Sequence, residues 1–290
     1  MKYALLVFLG GCSYGILSTI VKIAYAAGLT PAEVCGGQVF FGMLLLWMAA
    51  LRHGGFPLSV RRALTLICCG LPIGLTTMFY YTALQTVTAS FAIILLFQFV
   101  WVSTAIDCVF SRRLPDRQKV AAIAILLPGS VLAAGLVGSS DSISLTSGVL
   151  WGLASAVSYS FVLLVSGTVG CEVPPVLKSA LMSVGAATVV FAFMPPTFLL
   201  SLGSLAAAAP YGIPLGIFGI ALPPLLFSIG IPHTGPSLGS ILTSSELPMA
   251  ILMAFFVLGE HIALVQWLGV ALIFRGVSFD GESDAFEASE

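Results

Sequence analysis

The sequence predicts an all-α membrane protein, with ten transmembrane helices arranged as two inverted five-helix repeats. Three observations carry that prediction. Only 8% of the 290 residues are charged, 59% are apolar, and mean hydropathy is +1.10. A soluble domain carries about 25% charged residues, so this chain cannot clothe a water-facing surface. A span uses about 20 apolar residues, and with a short connection 290 residues allow about ten of them. Finally, the two halves show faint self-similarity at an offset of about 145–148 residues.

The stretches are read in order as 3–26, 33–51, 62–84, 88–111, 118–137, 146–169, 175–199, 208–230, 236–258 and 262–279. Helix is favoured over strand because the runs lack period-2 alternation and a backbone in lipid must bond within its own segment. Gly28-Leu29-Thr30-Pro31 separates spans 1 and 2, and Gly54-Gly55-Phe56-Pro57 separates spans 2 and 3. Span 3 carries Pro72, and Leu114-Pro115-Asp116 ends span 4. Pro174-Pro175 opens span 7, and His233-Thr234-Gly235-Pro236 divides spans 8 and 9. Prolines favour the second half eleven to five, and span 8 holds Pro214 and Pro223-Pro224. Interrupted helices at corresponding places in two halves point to a transporter site, which puts substrate between spans 3, 4, 8 and 9.

Charge placement predicts orientation. With a cytoplasmic N-terminus, Lys2, Arg52, Arg61, Arg62, Arg112, Arg113, Arg117, Lys119, Lys178 and Arg275 all fall on the cytoplasmic side, and Lys22 alone falls beyond. Both termini are thus expected in the cytoplasm and the chain in the cell (inner) membrane. Residues 280–290 hold five acids and no base, and read as a solvated cytoplasmic tail. A net charge of −1 offers no basic field for nucleic acid. No Walker motif is present, so nucleotide is excluded as the direct drive. The six cysteines show no metal spacing, and neither cofactor nor metal is expected.

The repeat is legible in particular residues. Ser13-Tyr14 falls on Ser158-Tyr159 at an offset of 145, while Phe79, Gln98 and Gln118 fall on Phe227, Glu246 and Gln266 at 148. Inverted repeats are the architecture of alternating-access carriers. Three stretches then carry a resemblance: Ser13-Tyr14-Gly15 with Lys22 and Gly28; Tyr80-Tyr81-Thr82-Ala83-Leu84 running into Thr88-Ala89-Ser90; and Glu246-Leu247-Pro248 followed by Leu258-Gly259-Glu260 and Gln266-Trp267-Leu268-Gly269. In their order and spacing they resemble the EamA-type carriers of the drug/metabolite transporter superfamily. The resemblance covers the chain to about residue 279. It implies one five-helix repeat at 1–137, a second at 146–279, and peripheral spans 5 and 10. Val100 stands where the family's first repeat often has proline.

Polar groups at membrane depth usually face the bundle interior. Gly11, Tyr14, Ser18, Lys22 and Tyr25 share one stripe of span 1. Tyr159 lies on a weaker stripe of span 6, Tyr80 and Tyr81 near the end of span 3, and Gln98 and Trp101 on one face of span 4. These residues are candidates to line a substrate pathway; the competing reading is helix packing, in which GxxxG pairs and hydroxyls draw helices together. Glu246 reads as the deepest acid, halfway along span 9 with Gly239, Thr243 and Ala250 on its face. It is a candidate for proton coupling or for contact with a cationic substrate group, against a structural role beside Pro248. Lys22 is a candidate contact for a substrate carboxylate, against a role as a snorkelling anchor.

These features predict a secondary carrier of small metabolites, exporting amino acids or related amphipathic compounds, as a monomer or homodimer in the bilayer. A flippase for a lipid-linked substrate would use the same fold. An intramembrane enzyme would need a catalytic constellation at depth, yet His53, His233 and His261 all fall in expected loops, so no enzymatic activity is expected.

Overall fold

The computed structural model describes residues 2–52, 58–83, 86–87, 89–112, 115, 117–133, 147–259 and 261–287. These residues form helices joined by short turns, with no strand among them. The helices are α1 (Lys2–Ala26), α2 (Pro31–Arg52), α3 (Val60–Ala83), α4 (Ala89–Phe97), α5 (Phe99–Ser111), α6 (Arg117–Ala133), α7 (Ser147–Thr168) and α8 (Pro175–Phe193). They continue with α9 (Leu202–Leu215), α10 (Leu222–Thr243), α11 (Glu246–Leu258) and α12 (Leu264–Glu287). Among the described residues, seven helical stretches are long and apolar enough to cross a membrane, and Leu264–Val277 is a shorter apolar helix.

Breaks that hydropathy alone does not reveal divide several stretches. Span 4 is not continuous: a turn at Gln98 separates α4 from α5. No proline lies there. Instead the Gln98 side chain donates to the Ile94 carbonyl (3.0 Å) and accepts from the Trp101 indole (2.9 Å), competing with the backbone ladder. Span 7 ends early, at Phe193, because Pro195 and Pro196 cannot continue the helix. Span 8 starts earlier, at Leu202, and absorbs its prolines through a π-helical segment, Gly216–Ala221, just before Pro223 and Pro224. His233 lies within α10 rather than in a loop, its ring stacked on Tyr3 at 3.7 Å. Gly235 then takes φ 79 and ψ 158, a conformation open essentially to glycine alone, and reorients α10 there. Backbone helix continues to Glu287, past the expected start of the tail at residue 280, since no proline intervenes.

Small residues set the packing. Gly70 of α3 and Gly185 of α8 bring the two backbones into contact, against Met182 and Ile67 respectively. Gly11 and Gly15 of α1 seat against Thr243, Ser245 and Glu246, at the α10–α11 break. Long-range hydroxyl bonds join the halves; among them Ser13 donates to the Phe218 carbonyl and Ser158 to the Pro72 carbonyl, both at 2.8 Å. Helices α6 and α12 pack chiefly on each other through Gly129, Gly269 and Gly276, and stand to one side of the bundle.

Lys178, expected at a solvated end, is buried, 1% exposed. Its ammonium donates to the Ser166 carbonyl at 2.8 Å, in the last turn of α7, where a cation complements the helix dipole. Replacing a buried charge by an apolar residue of like volume is often neutral, so Lys178→Met is expected to unfold within about 1 kcal/mol of the parent. Lys178→Ala leaves a void and is expected to lose about 2–5 kcal/mol. Thermal unfolding of the two variants in detergent measures the difference.

Candidate functional site

A cavity of about 390 Å³ lies at the centre of the bundle. Its depth follows from the chain. Tyr14 is 12 residues from either end of α1, roughly 18 Å each way at 1.5 Å per residue. Gly15, its neighbour, touches the backbone of Glu246. The carboxylate-bearing residue is therefore at mid-depth, at the floor of the cavity. From there the lining climbs past Thr76, Tyr80 and Ala254 to Lys22, Tyr25, Leu258 and Ile262, toward the Ala26 end of α1.

Below that floor, on the Lys2 side, the helices are closed on one another. Gly10 packs on Phe227 and Gly230 on Val7, and the Tyr3–His233 stack lies at the rim. A seam of buried hydroxyls runs between α5 and α10. Thr104 pairs with Ser237 at 3.3 Å, Ser240 donates to Val100 at 3.4 Å and to Ser237 at 2.7 Å, and Ser244 donates to Ser240 at 3.2 Å. Thr243 also donates to Gly239. The cavity thus has one open side and one closed side.

Glu246 is not halfway along a helix as the sequence suggests. A turn at Ser244 and Ser245 ends α10, and Glu246 is the first residue of α11. Three consecutive hydroxyl residues, each bonding a backbone carbonyl, accompany this break. Among the described residues its carboxylate makes no hydrogen bond or ion pair, and Tyr14, Tyr80 and Tyr159 line the cavity with it.

Aromatic rings share the cavity with it. Tyr159 meets Phe99 edge-on at 4.7 Å and Tyr14 at 5.8 Å, and Tyr14 leans on Phe227 at 5.9 Å. The Tyr159 hydroxyl, buried, has no hydrogen-bond partner among the described residues. Tyr81 donates to the Gln38 side-chain oxygen at 3.2 Å. Ser18 also faces the cavity, while bonding the Gly15 carbonyl of its own helix at 3.2 Å.

The structure therefore brings together Tyr14, Ser18, Lys22, Tyr80, Tyr81, Tyr159 and Glu246. Gln98 and Trp101 are not among the residues lining this cavity. Trp101 is 46% exposed and borders a separate apolar groove with Thr104, Cys108 and Val120. Glu260 and Thr88 lie outside the described residues. Span 8, expected to contribute strongly, supplies only Gly219. Gln38 and Gln266 line the cavity unanticipated; a lone amide in the glycine-rich run Cys35-Gly36-Gly37-Gln38 was the available signal.

A solved crystal structure superposes with a TM-score of 0.72, covering 94% of this chain and 97% of the other at 18% identity, a likeness of fold alone. An uncharacterized transporter of Archaeoglobus fulgidus is 26% identical over 266 residues, 90% of this chain and 91% of the relative. Residues 1–135 and 146–279 each match the EamA-like transporter family. With both halves matched, the chain is a multi-pass membrane protein that belongs to the EamA-like transporter family of the drug/metabolite transporter superfamily.

Proposed function

We propose that the chain is a secondary carrier that exports small metabolites, amino acids or related amphipathic compounds, by alternating access around the Glu246 cavity. The observation that carries this reading is a mid-depth cavity open on one side and closed on the other, with one carboxylate at its floor. Such a site holds a solute against the bilayer without a continuous path.

Ten spans in two inverted repeats support the same mechanism. The stretch Leu202–Leu258 has 57 residues, roughly 85 Å as helix, against a hydrocarbon core of about 30 Å. It is therefore two spans, divided at Gly235. The helices Arg117–Ala133 and Leu264–Val277 complete ten alongside the other six stretches. Pseudo-equivalent features recur at offsets of 145 and 146. Ser13 and Ser158 differ by 145, their acceptors Pro72 and Phe218 by 146, and the breaks at Gln98 and Ser244 by 146, with φ −59 and ψ −14 at both. Ten basic residues on the Lys2 side make that side cytoplasmic, so the cavity opens outward. Glu246 is the group that couples transport to protons.

Counterflow in proteoliposomes tests the carrier reading, with a panel of amino acids, amines, nucleosides, sugars and lipids. Preloaded solute is expected to drive uptake of its labelled form without nucleotide. Correctly folded protein that exchanges no member of the panel contradicts the reading.

A further inference from the structure

The chemistry of the carried solute can be narrowed from the charges in the cavity, an inference that rests on the carrier reading above. Apart from tyrosines, two ionisable side chains line the cavity among the described residues: Glu246 at the floor and Lys22 at the rim. They are far apart. Lys22 is eight residues above Tyr14 on α1, roughly 12 Å along the axis between the two backbones, and it is exposed. An α-amino acid carries its two charges on neighbouring groups of a single carbon, so it cannot reach both.

The start of α11 is itself a poor seat for a carboxylate. Helix N-termini hold anions through free amides, but at α11 two of these are committed and a third position has none. The Leu247 amide bonds Ser244 at 3.3 Å, the Met249 amide bonds Ser245 at 3.2 Å, and Pro248 has none. What the floor does offer is an unpaired carboxylate among aromatic rings. Tyr14, Tyr80 and Tyr159 line the cavity with it, and Phe99 meets Tyr159 edge-on. Ring faces attract cations, most strongly where water is excluded. The buried Tyr159 hydroxyl, unpartnered among the described residues, adds an acceptor for an N–H. At about 390 Å³ the space equals roughly a dozen water volumes of about 30 Å³ each, which suits a compact solute with a short apolar tail.

We propose that the cavity takes an organic monocation: an amphipathic amine whose nitrogen sits on Glu246 between the rings of Tyr14, Tyr80 and Tyr159. Within the amphipathic class, amines without a neighbouring carboxylate are therefore the preferred solutes.

Calorimetry on the purified full chain in nanodiscs tests this with four probes sharing one body: phenethylamine, phenethyltrimethylammonium, phenylalanine and 3-phenylpropionate. Both cations are expected to bind, with phenylalanine and phenylpropionate at least tenfold weaker. Glu246→Gln is expected to weaken both cations at least tenfold. The ranking on the unmodified chain needs no variant, so it stands even if that variant folds poorly. Phenylalanine or phenylpropionate binding as tightly as phenethylamine overturns the proposal, as does failure of both cations to bind, or a folded Glu246→Gln that keeps their affinity. Counterflow with the same probes separates the two claims. Exchange of phenylalanine without cation binding removes the amine proposal and leaves the carrier. Cation binding without exchange of any solute removes the carrier and leaves the site.

Discussion

Glu246→Gln is expected to reduce solute exchange at least thirtyfold while the protein still elutes as a single folded species. The substitution keeps the shape of the side chain and removes only its charge. Removing a charged partner from a desolvated site costs about 2 kcal/mol or more, which is about thirtyfold in affinity. Folding should survive, because among the described residues the carboxylate pairs with nothing whose partner would then be stranded. The second consequence concerns the drive. If Glu246 carries the proton, an imposed pH gradient accelerates exchange by the parent chain and leaves the variant's residual exchange unchanged. Full gradient coupling in Glu246→Gln contradicts the proton assignment. Initial rates in proteoliposomes, with and without the gradient, give both numbers.

Gly70→Leu is expected to abolish recovery of monodisperse protein. A Cβ at Gly70 falls on the Met182 carbonyl, and one at the reciprocal position, Gly185, falls on the Ile67 carbonyl and 3.0 Å from the Gly70 Cα. Both obstacles are backbone, so no rotamer change relieves them and α3 must separate from α8. Overpacking where side chains can yield costs about 1–3 kcal/mol, and here the cost is expected at the top of that range or above. Lipid offers little compensation, because helix association in a bilayer depends on this close packing. Gly203→Ala is the control: its Cβ meets only the Ser201 hydroxyl, at 3.6 Å, and the elution profile is expected to match the parent. Size-exclusion chromatography of the three proteins checks the contrast.

Most of the fold is legible in the sequence because the bilayer imposes a simple code. Long apolar runs ended by glycine, proline and charge become helices, and family membership follows from motifs spread over both halves. The breaks are not legible. Ala92 to Val100 is a nearly unbroken apolar run, and Gln98 interrupts it only because its side chain bonds Ile94 and Trp101. One site assignment is displaced as well. Gln98 and Trp101 do share a face, as the bond between their side chains shows, but neither lines the cavity. Trp101 ends up outside the cavity, while Tyr14, Ser18 and Lys22, on the uninterrupted α1, line it as their spacing implies. Glu246 stands out in the sequence because acids are rare at membrane depth, although a helix begins there rather than running through it. Gln38 does not stand out, because an uncharged amide weighs little in a hydropathy profile; only the fold reveals its bond to Tyr81.

Alternating access requires that the two sides of Glu246 never open together, and cysteine accessibility measures that directly. In a background with the six native cysteines replaced, Ala254→Cys reports the open cavity and Ser240→Cys the buried hydroxyl seam. At rest, an impermeant maleimide is expected to label Ala254→Cys from the Ala26 side and to leave Ser240→Cys untouched from either side. During solute exchange, Ser240→Cys should become reactive from the Lys2 side while labelling of Ala254→Cys slows. A Ser240→Cys that stays inert under active exchange, or that reacts from the same side and at the same time as Ala254→Cys, contradicts the account.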